Sequence, residues 1–332
     1  MRKNFLRQQE KILKSKKSVV EFYEETKFLL KLKKISLLFT DKYINNVNTY
    51  RPSLALAGFY KIFPSNRILI FGKTEYYFII ENGIKCLKKF LDFVKEIDFP
   101  CIIFSNNCKL PEDFIKLFQE YKINIFVSEL DTDLLFHHLN NYLWKEFSDK
   151  IIFHGSFVDV FGIGILITGE PGIGKSETAL ELVKLNHRLV ADDIIIIRKN
   201  IDGKLIGSST EIIQDFIELR GIGIVNLREL FGLKSILNEK RIDIIVNLEY
   251  SSNQKKFERL GMNMVYEKIL NIDVPFYSIP IRAGKNNASI IETIALAYSS
   301  RLSGYNPAME LENRILKTQQ KKTGVDIENE RG

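Results

Sequence analysis

The chain has 332 residues, 45% hydrophobic and 27% charged, which is length and composition for two globular domains rather than a disordered chain. No run of eighteen apolar residues occurs and no apolar stretch backs the basic start, so neither a membrane span nor a secretory signal is expected; three cysteines (Cys86, Cys101, Cys108) form no even framework and fit a reducing, cytoplasmic compartment. The net charge of +7 comes from residues 1–150, with 25 Lys and Arg against 18 Asp and Glu, while residues 151–332 hold 23 of each.

Residues 1–17 carry seven basic side chains against Glu10. Such an arm suits nucleic acid or an acidic partner, but only Phe5 could stack on a base, so a flexible, solvated extension is expected and nucleic acid is not expected as a partner. Val19 to Phe39 has helical spacing without Gly or Pro and predicts one or two helices. Turn formers follow to Pro64, then a strand over Arg67 to Phe71. Thr74 to Asn82 suits either a strand or a helix start, and Ile84 to Ile97 a helix. Cys101 to Phe104 and Ile123 to Val127 predict strands, Pro111 opens a helix running to Tyr121, and Thr132 to Phe147 predicts a long one. This alternation argues for a small N-terminal α/β domain over residues 18–147. Polar residues Glu146 to Lys150 mark the boundary of a second α/β domain, residues 148–320, before a polar tail, 321–332. Its strands are predicted over Ile151 to Phe161, Ile163 to Thr168, Arg188 to Arg198 and Ile242 to Leu248. Asn271 to Ile281 is expected to be broken by Pro275 and Pro280. Helices are predicted over Glu177 to Leu185, Ala288 to Leu302 and Met309 to about Gln319.

The second domain is organised around Gly169-Glu170-Pro171-Gly172-Ile173-Gly174-Lys175-Ser176, which fits the phosphate-binding pattern G-x-x-x-x-G-K-[ST]. Strand, glycine loop and helix together aim main-chain N–H groups and a positive helix end at an anion. Lys175 can reach terminal phosphates as a flexible point charge, and the Ser176 hydroxyl can ligate Mg²⁺. Phosphoryl transfer also needs a second metal ligand, a base and cations for developing charge. Asp192 and Asp193 sit in an otherwise apolar strand, where a carboxylate is expensive unless paired or ligating. A regular strand aims only one of them at the loop, and the sequence leaves open which, as well as a strand end turned to water. His154 precedes the loop strand and serves either structure or catalysis. Glu218 and Arg220 flank the glycines of Ile217-Glu218-Leu219-Arg220-Gly221-Ile222-Gly223-Ile224-Val225-Asn226. Arg259 and Pro280-Ile281-Arg282-Ala283-Gly284-Lys285 supply further cations.

These pieces resemble the HPr kinase/phosphorylase family over nearly the full length. The resemblance is carried by His154-Gly155 with Val158-Asp159-Val160, by the glycine loop through Leu182, by His187 to Asp193, by Glu218 to Ile224, by Arg259-Leu260-Gly261, and by Pro280 to Asn286. Arg51 to Phe59 and Gly72-Lys73-Thr74-Glu75 resemble its N-terminal domain, whereas residues 1–17 align with no part of it. The resemblance implies a C-terminal P-loop kinase domain that uses ATP to phosphorylate a serine of the carrier protein HPr, as a regulator of carbon catabolite repression. It implies the reverse reaction as well, with inorganic phosphate consumed and pyrophosphate released. By this similarity Ser176 and Glu218 hold Mg²⁺, Asp193 is the base of one direction and the acid of the other, and His154 and Arg259 complete the catalytic set with Lys175. The loop 217–226 would serve both reactions and 280–285 mainly the dephosphorylation, in a homohexamer. Glu170-Pro171 departs from the family pattern, with Pro171 lacking one N–H donor, and Asn226 stands where an acid is frequent. A carboxykinase-like P-loop phosphotransferase is the alternative, and an ATP-gated nucleic-acid regulator ranks below it.

Overall fold

The computed structural model describes residues 9–11, 15–35, 40–250, 265–281 and 286–305, with five positions between 310 and 318. Arg259, Arg282, Ala283, Gly284 and Lys285 lie outside the described residues, as does most of the helix expected from Met309. The chain divides into two units. One comprises Ile12–Lys150 and Arg198–Gly203; the other comprises Ile151–Ile197, the chain from Lys204, and an N-terminal strand, β1 (Gln9–Lys11).

In the first unit β2 (Lys17–Ser18) leads into α1 (Val19–Thr26), whose start is a reciprocal cap between Ser18 and Glu21. The helix stops at Thr26, and the chain turns through Lys31 (φ 47°) into β3 (Leu32–Lys34). Of the one or two helices expected from Val19 to Phe39, one forms, and helix over Leu32 to Lys34 is corrected to strand. Past the turn, Leu32 is buried and pairs with Ser128 of another strand. There follow β4 (Tyr43–Ile44), β5 (Thr49–Tyr50), α2 (Ser53–Leu56), β6 (Ile68–Phe71), α3 (Lys73–Val94), β7 (Ile102–Phe104), α4 (Glu112–Glu120), β8 (Ile125–Ser128) and α5 (Thr132–Phe147). The ambiguous Thr74 to Asn82 is helix. Glu75 and Ile79 repeat at helical spacing on its buried side, and Gly83 (φ 71°) kinks the helix. The sheet runs β3-β8-β7-β6-β5, parallel apart from β3. Leu69 and Phe71 pack with α3 residues on one face; Ile68 and Ile70 pack with Leu135, Leu139 and Leu143 of α5 on the other.

The second unit contains β9 (Lys150–Val160), β10 (Ile163–Gly169), α6 (Lys175–Lys184), β11 (Arg188–Lys199), β12 (Leu205–Ser208), β13 (Phe216–Leu219), β14 (Gly223–Asn226), α7 (Leu227–Phe231), β15 (Glu239–Arg241), β16 (Ile244–Tyr250), β17 (Val265–Ile269), β18 (Ile272–Ile281) and α8 (Asn287–Leu302). Its nine-stranded sheet runs β15-β12-β11-β9-β10-β16-β18-β17, with β1 on β9; β13 and β14 form a separate hairpin. Ile165 and Ile167 join α6 and α8 in one core, while Leu166 between them packs with Phe153, Phe157 and Ile245 on the opposite face. Among the described residues of the basic arm, Gln9 to Lys11 are strand rather than loose chain, since Gln9 stands opposite Phe153 and Lys11 opposite Ile151, and Lys17 begins β2.

Pro275 and Pro280 do not break β18, contrary to the sequence expectation. Among the described residues, Pro275 is opposite Tyr266 of β17, short of where β16 begins to pair, and Pro280 is opposite Glu249 of β16, past the last β17 partner. Each ring therefore sits where the strand has one described neighbour, and its missing N–H can face the other side.

The two N-terminal motifs meet in one polar network. Arg51 Nε and Nη2 donate to the buried Glu75 carboxylate at 3.2 and 2.9 Å, Ser53 Oγ donates to Oε1, and the Gly72 N–H donates to Oε2 at 2.9 Å. Burial pushes this carboxyl up, but Arg51 and Ser53 together hold it below its ordinary value near 4.5. A depressed carboxyl stabilises the fold above its unfolded value and loses that contribution as pH falls through the folded one. Glu75→Gln is thus expected to lower stability at pH 7 by about 2 kcal/mol and to flatten its loss below pH about 4.5; thermal denaturation from pH 7 to 3 measures both.

Candidate functional site

Strand β10 ends at Gly169 (φ 147°), and the loop to α6 turns on Gly172 (φ 81°) and Gly174 (φ 97°), the left-handed N-cap of the helix. These dihedrals favour glycine over any L side chain. Ile173 is buried and anchors the loop in the core beneath it. Lys175 arches back over the loop, its Nζ donating to the carbonyls of Gly169 and Glu170 at 3.3 and 3.2 Å. Burial lowers the Lys175 pKa, while Asp192 and Asp193 pull the other way. The first-turn N–H groups of any α-helix lack intrahelical partners, and here they open toward this loop.

Asp192 lies on β11 with 5% of its surface exposed. Its Oδ1 accepts from Ser156 Oγ at 2.5 Å and its Oδ2 from Ser176 Oγ at 2.8 Å. The main chain of Glu218 donates to the same carboxylate. Burial pushes the carboxyl up, and the two hydroxyls oppose that shift. The next residue breaks the strand's alternation: Asp193 has φ 63° and an exposed side chain, with Oδ1 3.8 Å from His154 Nδ1. Both adjacent carboxylates favour the charged form of Lys175.

The structure brings together His154, Lys175, Ser176, Asp193, the loop 169–174 and the hairpin of β13 and β14. On that hairpin Ile217 and Leu219 are buried in the core, which turns Glu218 outward. Arg220 lies against the glycine loop, because a Cβ on Gly172 would stand 2.6 Å from its Nη2. Gly221 and Gly223, both at positive φ, make the tip that exposes Ile222, and Ile224 is exposed beside it. Val225 packs against the core, and Asn226 caps α7 by accepting from the Glu229 N–H at 3.1 Å. Pro280 and Ile281 end β18, two strands from β10 in the sheet.

Several matched residues serve the frame instead. Arg188 Nε donates to the buried Asp159 at 2.9 Å, and His187 meets Glu292 of α8 at 2.9 Å. Among the described residues no three His, Cys, Asp or Glu side chains converge on one point. Magnesium requires no such cage, since it is held by one or two carboxylates, waters and substrate phosphates. The oxygens here fit that mode, because Ser176 gives its hydroxyl hydrogen to Asp192 and keeps its lone pairs for a cation. Ser156 was not singled out in the sequence. The signal was its place two residues after His154 in a strand, on the same face.

Comparison with known proteins places both halves of the chain against one family. The family model described as HPr Serine kinase N terminus matches residues 18–143, and that described as HPr Serine kinase C-terminal domain matches residues 145–315. An HPr kinase/phosphorylase of Lachnoclostridium phytofermentans is 40% identical over 84% of this chain and 91% of its own. One of Chloroherpeton thalassium is 36% identical over 92% of this chain and 90% of its own. One of Clostridium perfringens is 41% identical over 85% and 92%.

The Asp193 backbone yields a prediction separate from chemistry. Asp193→Ala is expected to lose about 1–2 kcal/mol to left-handed strain, whereas Asp193→Asn, a residue tolerated there, changes the melting temperature little; calorimetry of the two variants gives the comparison.

Proposed function

The chain belongs to the HPr kinase/phosphorylase family, and on that premise we propose how its residues divide the work. It is a serine kinase/phosphorylase that phosphorylates a serine of HPr and removes that phosphate again. ATP is the donor in the forward direction; inorganic phosphate is the acceptor in the reverse direction, with pyrophosphate as product. The loop 169–176 is a P-loop whose first-turn N–H groups take the phosphates. Lys175 exchanges its two carbonyl partners for terminal phosphate oxygens, a movement its flexible stem permits. Ser176 Oγ and the outward Glu218 carboxylate would hold Mg²⁺, which would neutralise phosphate charge when bound. Arg220, resting on the loop, meets charge that develops on the transferred group.

Asp193 accepts the proton of the substrate serine as its oxygen attacks, and returns it in the reverse reaction. It is free for this because it is exposed, whereas Asp192 is committed to two hydroxyls. The approach of Asp193 to His154, within electrostatic reach of Lys175, is the observation that carries this reading. His154 and Arg259 complete the set around the phosphates, and residues 280–285 act mainly in dephosphorylation. HPr is the protein partner, and a homohexamer is the expected assembly. Among the described residues no helix is long and apolar enough to cross a membrane.

Incubating the chain with HPr, Mg²⁺ and ATP should raise the mass of HPr by one phosphate; transfer to phosphate without ATP should reverse this and release pyrophosphate. Lys175→Ala is expected to lose both activities. Asp193→Asn is expected to lose at least about a hundredfold in turnover while retaining Mg-nucleotide binding. Full phosphorylation of HPr by the asparagine variant would remove Asp193 from its role, and label transfer to a small molecule alone would favour a carboxykinase-like enzyme.

A further inference from the structure

We propose that Ser156 is a positioning residue of the nucleotide site, acting through Asp192 to aim the oxygen of Ser176. Ser156 has no exposed surface, and its Oγ donates to Asp192 Oδ1 at 2.5 Å. The other oxygen of the same carboxylate accepts from Ser176 Oγ at 2.8 Å. An ionised carboxylate only accepts, so both serines must donate. The Ser176 hydrogen is thereby turned toward β11, and its lone pairs are left for a cation at the loop. The carboxylate plane of an aspartate turns easily about its last torsion. Ser156 holds one oxygen and so fixes where the other lies. Without it, the Glu218 main chain is the carboxylate's remaining donor besides Ser176; Asp192 can then tilt about that contact, and the Ser176 hydroxyl follows it or releases its hydrogen toward the place a metal would occupy.

This rests on reading Ser176 as a magnesium ligand. Residues behind metal ligands typically change metal affinity 10–100-fold when removed. The test is calorimetric titration of the full chain with ADP, in magnesium and in EDTA, for the parent chain, Ser156→Ala, Ser176→Ala and the double variant. Ser156→Ala is expected to lose about tenfold of the magnesium-dependent gain in ADP affinity and to bind ADP in EDTA as the parent does. The double variant is expected to lose no more than Ser176→Ala alone, because the two residues act in series. Ser156→Cys, of similar size but a weak donor, should lose part of the gain and serves if alanine disturbs the strand. A parent-like gain in the Ser156 variants, equal losses with and without magnesium, or additive losses in the double variant each overturn the proposal. A parent chain whose ADP affinity ignores magnesium overturns the functional reading itself.

Discussion

One buried carboxylate holds the site together. Asp192 joins β9 through Ser156, the start of α6 through Ser176, and β13 through the Glu218 main chain, although these segments are separated by up to tens of residues. A carboxylate in that position is strongly unfavourable unless its oxygens are satisfied. The requirement works in both directions. The three donors make the burial tolerable, and the carboxylate fixes the spacing among strand, loop helix and hairpin on which the neighbouring groups depend.

The adjacent residue uses the same strand for the opposite purpose. Asp193 adopts a backbone conformation that few non-glycine residues visit, and this turns a second carboxylate toward solvent and toward His154. Strain of this kind persists where the surrounding structure enforces it, and it clusters at functional sites. Two neighbouring carboxylates with the same intrinsic chemistry are thus separated into one committed to buried hydroxyls and one left exposed beside His154. Lys175 feels the charge of both while its ammonium is held by two main-chain carbonyls.

The first unit follows similar packing rules. Its sheet, parallel apart from β3, is covered on both faces, and its matched motifs, Arg51 with Ser53 and Gly72 with Glu75, close on one another. In the second unit, His187, Arg188 and Asp159 likewise serve the framework. Similarity to a family therefore marks residues that hold the scaffold as readily as those that meet substrate.

Local pattern determined a good deal. The glycine loop between an apolar strand and a helix, the acid pair in an apolar strand, and the long helix from Thr132 are all readable from spacing, because each depends on residues within a turn or a strand of one another. The strand at Leu32, the continuity of β18 through its prolines, and the pairing of Gln9 with Phe153 are not, since each is decided by which distant strand lies alongside. The acid pair shows the limit most clearly. Alternation allowed one carboxylate at the loop and could not say which. Only the folded chain, placing Ser156 and Ser176 against Asp192 and bending the backbone at Asp193, gave each its surroundings, because a side chain's partners and its φ angle are set by segments the local sequence does not contain.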